Sequence, residues 1–438
     1  MRKTSMLFAL ILAMLMIFNL TGCAPAPVEK PAESSAAASQ SASASQAAPE
    51  ETGEEILIAC SMPLSGSMAE SGVGAKEGIE YAVARWNEKG GVKLSDGKMH
   101  KVKLLVEDDG GKPEEAVANF EKFINQDKAK ILYGIVLSGS GLAAMELCKK
   151  YPVFMSTVRC VSSEIPAKVK ADPEGFKRFF KPEYNSTDSG EQIAEALNSM
   201  GTAGNFTWTN KTVAYLTEDN DYGRSTQKGV EDALAKFGAK TVAYEIVPEG
   251  HVDFYSQLNK IKQANPEVVV TNLLPVSSGV AYCKQYKEVG MKALNFGIGF
   301  PEETGFFEQT GGTAEGLLWT IMRSDFENNP KHKAFAEEFK QLFPNSVANY
   351  DQLHTNDTTN MLLQAIEKAG EMDVDKISEA YLNSDYQGNI GRIVLNKDDH
   401  SLISGPEYYP HSVAQIQDGK NVVVFPDSMA SSKFKPQQ

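Results

Sequence analysis

The sequence predicts an α/β protein built as two lobes, each a parallel sheet flanked by helices. Three observations predict it. From residue 56 onward, short apolar runs alternate with stretches of helical periodicity, the pattern of βαβ units. Beyond about residue 184 the same alternation starts afresh, so one plan is used twice and there is no short-period repeat. The stretches that follow the apolar runs are rich in Gly, Ser and Asp, as at the carboxyl ends of parallel strands, where ligands bind.

The opening unit, residues 56–91, shows how each element is read. The apolar run 56–59 suits a buried strand, and Pro63-Leu64-Ser65-Gly66-Ser67 breaks it. Small residues continue as far as Gly74. Then Ala75, Ile79, Ala82, Val83 and Trp86 recur at helical spacing, and Gly90-Gly91 ends the helix. The hydroxyls of Ser65 and Ser71 and the backbone N–H groups of this loop lead into a helix N-terminus, which favours an anionic group; an ordinary βα connection reads the same way. Next come a strand at 102–106 ending in Glu107-Asp108-Asp109 and a helix from Pro113. A strand at 131–137 empties into Ser138-Gly139-Ser140-Gly141, and a helix carries Leu142, Met145 and Cys148. A strand at 153–155 then ends in Ser156-Thr157-Val158-Arg159-Cys160.

The second round has strands at 212–216, 241–247, 268–272 and 294–298, with a loop at 217–223 and a helix running to Lys236. Helices opened by Asp253-Phe254 and spanning 280–289 lie between the later strands. The stretch 311–318 leads through a strand back towards the first lobe, where 332–343 and 357–369 are helical. Residues 412–417 and 421–425, joined at Asp418-Gly419, read as a closing β-hairpin.

A length of 438 residues allows two or three domains with sizeable cores, and 42% apolar with 23% charged residues is a globular balance. A net charge of −14 argues against a nucleic-acid-binding surface. Residues 1–23 read as a signal segment: a basic start at Arg2 and Lys3, an apolar region at 6–20, and Leu20-Thr21-Gly22-Cys23, which resembles a bacterial lipobox. That resemblance implies cleavage before Cys23 and a lipid on its sulfur; an ordinary signal peptide and a short anchor helix are the alternatives. Residues 24–53, nearly devoid of large apolar side chains, are expected to form a disordered Ala/Ser/Pro tether. The remaining cysteines, Cys60, Cys148, Cys160 and Cys283, are irregularly spaced and a fold this large needs no disulfide; three pairings are open if all four bridge, and Cys148–Cys160, which flanks a helix–strand turn, is the expected pair.

Catalytic chemistry finds little footing. The histidines are scattered without HExxH or paired metal spacing, and CxxC, GxSxG and P-loop motifs are missing, so no metal, cofactor or enzyme activity is expected. A cell-surface hydrolase using the Ser138-Gly139-Ser140 segment would lack an identifiable base.

Pro63-Leu64-Ser65-Gly66, a helix, and Asn87-Glu88-Lys89-Gly90-Gly91-Val92 resemble the start of the branched-chain amino acid-type periplasmic binding proteins, the type I substrate-binding components of ABC importers. Asp108-Asp109, Ser138-Gly139-Ser140, Asp221-Tyr222-Gly223, Asp253-Phe254, Ala314-Glu315-Gly316 and the stretch 357–370 resemble the family in order and spacing, so the resemblance covers 54–426. It implies two lobes, 54–182 with 323–408 and 183–322 with 409–438, joined by three hinge crossings near 180–186, 318–323 and 407–412. It also implies a monomer that captures a small amino acid or a related carboxylate or amide. The protein would then present that ligand to an ABC permease from the extracytoplasmic side of the membrane, where the lipid on Cys23 holds it. A sensory lipoprotein of the same fold, signalling to a membrane receptor, is the alternative.

The same resemblance implies the site. The segment Leu137, Ser138, Gly139 and Ser140 would hold the ligand's carboxylate, unless it is only a tight turn with solvated serines. Ser156, Thr157, Val158, Arg159 and Cys160 match the second ligand loop, but with a departure. Amino acid binders have small residues and threonine where this chain has Arg159 and Cys160. An Arg facing the cleft could pair bidentately with a carboxylate; turned outward it would be a surface or hinge-bracing group. Cys160 could be a small buried hydrophobe. Tyr222 would cover the ligand on closure, or pack as an ordinary aromatic. Leu274 stands where amino acid binders have a Tyr, and Phe300 and Glu302 follow the next strand. Glu302 is the candidate for a ligand ammonium, or else a surface carboxylate. The apolar loop together with Arg159 means that the ligand need not be an α-amino acid.

Overall fold

Parallel strands covered on both faces need apolar residues at successive positions, and the inner strands here have them. The computed structural model describes residues 52–302, 305–321, 329–405, 407–409 and 412–436. Strand β1 (Ile56–Met62) sends Ile56, Ile58, Cys60 and Met62 into one core and Ala59 into the core on the opposite face. It is joined by β2 (Val102–Asp108), β3 (Ile131–Ile135), β4 (Phe154–Thr157) and β5 (Phe179–Phe180), all parallel, in the order β2-β1-β3-β4-β5.

The second sheet contains β6 (Thr212–Glu218), β7 (Lys240–Val247), β8 (Val268–Leu273), β9 (Leu294–Gly299), β10 (Leu318–Ile321), β11 (Ser412–Gln417) and β12 (Lys420–Phe425). Its order is β12-β11-β10-β9-β8-β6-β7. Strands β6 to β10 pair in parallel, and the closing hairpin adds two antiparallel strands at the edge. On β8, Val268 and Val270 face one core and Val269 and Leu273 the other.

Helix starts lie earlier than the runs of small residues suggest. Helix α1 spans Ala69–Glu88, α2 Ser138–Ala144, α3 Ser186–Thr202, α4 Asp221–Lys236 and α5 Tyr350–Ala369. Ser138-Gly139-Ser140-Gly141 and Asp221-Tyr222-Gly223 are therefore first turns of helices, not loops ahead of them. Asn220 caps α4, its Oδ1 accepting from Gly223 N at 2.7 Å. The small residues of α1 serve a packing need. A Cβ on Gly78 would lie 2.1 Å from Thr355 Oγ1 and 2.4 Å from Gln352 O, because α5 runs hard against that face.

The chain passes between the two cores three times, as a two-lobed fold of this type requires. After β5 it enters α3, whose Ile193 and Leu197 pack on the second sheet. After β10 it returns to a helix at Pro330–Leu342, whose Phe335 and Phe339 pack in the first core with Tyr81. Tyr409 still belongs to the first core, and Ser412 opens β11 of the second sheet. Parts of the two later passages, residues 322–328 and 410–411, lie outside the described residues, as do the lipobox with Cys23 and nearly all of the tether.

The expected Cys148–Cys160 disulfide is not formed: all four described cysteines are buried free thiols. Cys160 donates to the carbonyls of Leu137, at 3.1 Å, and Ile135, at 3.5 Å. Cys148 fills the same core as a small apolar group, and burial pushes its thiol up to about 12.

Glu218 ties three strand ends of the second sheet together. Fully buried at the end of β6, it accepts from Gly250 N beyond β7 at 3.3 Å and from Leu274 N beyond β8 at 3.1 Å. Burial, reinforced by the nearby Glu249 carboxylate, pushes its carboxyl up to about 7.

Two predictions follow from this packing. Gly78→Ala should lower stability by about 1–3 kcal/mol in urea denaturation, since backbone atoms of α5 must shift; an unchanged midpoint would mean that α1 and α5 pack less closely. For Glu218 the folded group holds its proton above the pH at which the unfolded chain releases it, near 4.5, so stability falls as pH rises through the interval up to about 7. The stability of wild type minus that of Glu218→Gln should therefore drop by on the order of 1–3 kcal/mol between pH 4.5 and 7.5. A pH-independent difference would contradict the buried proton.

Candidate functional site

The carboxyl ends of the two sheets face each other across a cleft. Val136, Leu137 and Ser138 enter it from the end of β3 and the start of α2, and Arg159 and Val161 from the stretch after β4. Tyr184 comes from the first crossing, Tyr222 from the first turn of α4 and Leu274 from the end of β8. In this closed arrangement they leave a cavity of only about 20 Å³, room for about one water molecule, beside space that is open to solvent. The walls are mainly aliphatic and aromatic, with Ser138, Arg159 and two tyrosine hydroxyls as the polar groups. That is the usual make-up of a small-molecule site.

Of the residues singled out in the sequence, Leu137, Ser138, Arg159, Tyr222 and Leu274 come together here. Ser138 Oγ accepts from Ser162 N at 3.2 Å, which fixes its direction. Gly139 lies at the mouth, where a Cβ would come within 3.2 Å of Asp221 Oδ2 from the opposite lobe. Ser140 is buried in the same turn. Tyr222 sits over the end of β9, its hydroxyl 3.3 Å from where a Cβ on Gly299 would be.

Arg159 is a cleft-wall residue and not a surface one. Its Nε lies 2.8 Å from Asp351 Oδ1 and its Nη1 donates to Ser71 Oγ at 2.7 Å. Ser71 thus supports Arg159 from within α1 and is itself buried.

Other candidates are placed elsewhere. Ser65 is exposed, and its loop is pinned by Asp108, whose Oδ1 accepts from Leu64 N at 2.8 Å and Ser65 N at 3.3 Å. Ser156 and Thr157 belong to β4, which runs further than the apolar run 153–155 indicates. Ser156 Oγ lies 3.4 Å from Tyr381 OH, and Thr157 Oγ1 donates to Glu183 Oε1 at 2.5 Å. Val158 is a core residue, and Cys160 is the small buried hydrophobe that its reading allowed, its thiol pushed up by burial. Phe300 does not reach the cleft. It is fully buried under the second sheet against Tyr282 and Phe306, in space that Gly279 leaves open: a Cβ there would be 2.3 Å from its ring. The backbone of Glu302 closes a short 3₁₀ turn at Phe300–Glu302, and its side chain lies outside the described residues.

Sequence reasoning missed several groups. Tyr184 carried no motif. Asp351 lies in a polar first turn of α5 that helical periodicity placed outside the helix. Contacts between the lobes had no sequence signal either. Ser67 Oγ donates to Glu249 Oε1 at 3.0 Å at one rim, and Ser163 N to Ser225 Oγ at 3.1 Å near the first crossing. Ser225 Oγ also lies 2.7 Å from Ser186 Oγ. At the crossing, Lys181 Nζ donates to the carbonyls of Glu183, at 3.0 Å, and Tyr184, at 2.6 Å. Glu183 Oε1 accepts from Cys160 N at 2.8 Å, which joins the crossing to the stretch that carries Arg159.

Chemically, these walls offer a small molecule an apolar surface, hydroxyl groups and one guanidinium. Among the described residues no group of His, Cys, Asp and Glu is arranged to hold a metal ion, and no helix is long and apolar enough to cross a membrane.

Comparison with known proteins gives a consistent picture. The model of a family described as periplasmic binding protein matches residues 55–420. A leucine-, isoleucine-, valine-, threonine- and alanine-binding protein of Pseudomonas aeruginosa is 28% identical over 348 residues, 77% of this chain and 86% of the relative. Among solved structures, the branched-chain amino acid transporter substrate-binding protein of Streptococcus pneumoniae, in complex with isoleucine, is similar with a TM-score of 0.71. It covers 85% of this chain and 100% of its own, at 20% identity. An ABC transporter solute-binding protein from R. palustris, in complex with benzoate, is similar with a TM-score of 0.70, covering 86% of this chain and 99% of its own at 18% identity. At these identities the two structures speak for the fold alone, whereas the family match runs through both sheets and the cleft between them: the chain belongs to the periplasmic binding protein family.

Proposed function

We propose that this chain is the extracytoplasmic solute-binding component of an ABC importer, and that it captures a small amino acid or related carboxylate or amide in the cleft between its lobes without altering it. The observation that carries the reading is the cleft itself, where two sheet ends converge and an arginine faces apolar and aromatic walls. Membership of the family supports the binding role. The named ligands of its relatives, leucine, isoleucine, valine, threonine and alanine in one case and benzoate in another, each carry one carboxylate, which an arginine on the cleft wall complements. The lobes in this reading are 54–182 with 323–408 and 183–322 with 409–438, except that Tyr184 and Tyr409, at the crossings, pack in the first core. The chain acts as a monomer, cleaved before Cys23, lipidated on that sulfur and held to the membrane through the 24–53 tether.

Binding energy here comes from contacts made only when the lobes close. Ser67–Glu249 and Ser163–Ser225 bridge the two lobes, and Tyr222 would be the lid over the solute. A ligand that gains these contacts shifts the protein towards the closed form.

A thermal-shift panel of amino acids, aromatic and aliphatic acids, amides and sugars tests the reading. A true ligand at about a thousand times its dissociation constant adds roughly 4 kcal/mol to stability. Carboxylates should be the hits, and Tyr222→Ala should weaken their binding about 10- to 100-fold in titration calorimetry, a loss of roughly 1.4–2.8 kcal/mol. Hits confined to sugars, or none, would sink the carboxylate reading. For the anchor, Cys23→Ser should move the protein from the membrane fraction to the soluble fraction of its host; retention in the membrane would argue against lipidation at that sulfur.

A further inference from the structure

Arg159 departs from the residue types of the family's amino acid binders, and the structure shows what surrounds it. The side chain leaves the stretch after β4 and reaches both α1 and the first turn of α5. It is only 10% exposed, and the Asp351 side chain 4%. Asp351 has little room to move. Its backbone N–H donates to Asn349 Oδ1 at 2.8 Å, inside the capping box that starts α5. Gln352 completes that box, accepting from Asn349 N at 3.0 Å, and its Nε2 donates to Glu77 Oε2 on α1 at 3.2 Å. The first turn of α5 is thus bound to α1 on one side and to Arg159 on the other.

We propose that Asp351 is a positioning residue for ligand selectivity: it holds the Arg159 guanidinium fixed on the cleft wall, and the cleft thereby prefers a carboxylate to the matching amide. The proposal rests on the reading of the cleft as a carboxylate site. A free arginine has many rotamers, and a ligand would have to order it at an entropic cost. One already gripped at Nε by a carboxylate and at Nη1 by a hydroxyl presents its donors in set directions. The grip also keeps the guanidinium compensated when the cleft is empty, so a buried arginine can wait there. An amide gains less from such a donor than a carboxylate does, because it carries no net charge and offers one acceptor oxygen where the carboxylate offers two.

Titration calorimetry on the full chain, with L-leucine against L-leucinamide and benzoate against benzamide, tests this. Asp351→Asn keeps the shape and removes the charge. Wild type should favour the acid of at least one pair by tenfold or more, and D351N should reduce that ratio at least fivefold, mainly by weakening the acid. Asp351→Glu should restore most of it. If D351N does not fold, as judged by its thermal melt, Ser71→Ala removes a second hold on the guanidinium and should lower the same ratio. Acid binding that tightens in D351N would show that Asp351 competes with the ligand for Arg159, which overturns the proposal. A ratio unchanged in D351N or S71A, with acid and amide shifted equally, would reduce Asp351 to a structural role and overturn it too. A wild type that binds none of the acids fails differently, since then the carboxylate reading itself falls and takes the proposal with it.

Discussion

A guanidinium that is 10% exposed needs a counter-charge close by, and Asp351 supplies it to Arg159 at 2.8 Å. Much of the architecture on the first-lobe side of the cleft converges on that pair. β4 delivers the arginine, α1 contributes Ser71, and α5, which the chain reaches only after visiting the second lobe, brings the aspartate. α1 and α5 approach closely at Gly78 and at Gly74, where a Cβ would lie 3.1 Å from Asp351 Cβ, and this approach places the aspartate beside α1. Packing and polarity are therefore linked: a small side chain on one helix allows an ion pair at its end.

The second lobe handles charge at its strand ends in another way. Glu218 has backbone N–H groups as partners, and burial raises its carboxyl towards neutrality. By donating to Glu218, Leu274 N fixes the residue that lines the cleft from that side. The two walls thus differ in kind. One carries a paired, permanently charged arginine, and the other an aromatic and aliphatic surface backed by a carboxyl group out of contact with solvent. A solute with an anionic end and an apolar body matches the difference.

Much of the fold was legible because both of its signals are local. Apolar runs of strand length and helical periodicity depend on neighbours in sequence, and so do turn residues such as Asp418-Gly419. The boundaries that went wrong share one cause. Gly, Ser and Asp read as loop, but at 69–74, 138–141 and 221–223 they form first turns of helices, where a close neighbour or a free backbone N–H favours them. Parts of the cleft lining were legible through strand ends, hence Ser138, Arg159, Tyr222 and Leu274. Phe300 was misplaced because its destination depends on Gly279, a residue on another element that makes room under the sheet. Asp351, Tyr184 and the Ser67–Glu249 contact were beyond reach for the same reason: each acts through a partner remote in sequence, and one sequence carries no record of that pairing.

The central claim is that Arg159, facing the interlobe cleft, recognises the carboxylate of a small solute. Calorimetric titration of the wild-type chain and of Arg159→Gln with L-leucine and benzoate tests it most directly. The account predicts saturable binding of at least one acid at one site per chain, weakened tenfold or more when the guanidinium is replaced. Equal affinity of the two proteins for that acid would contradict it.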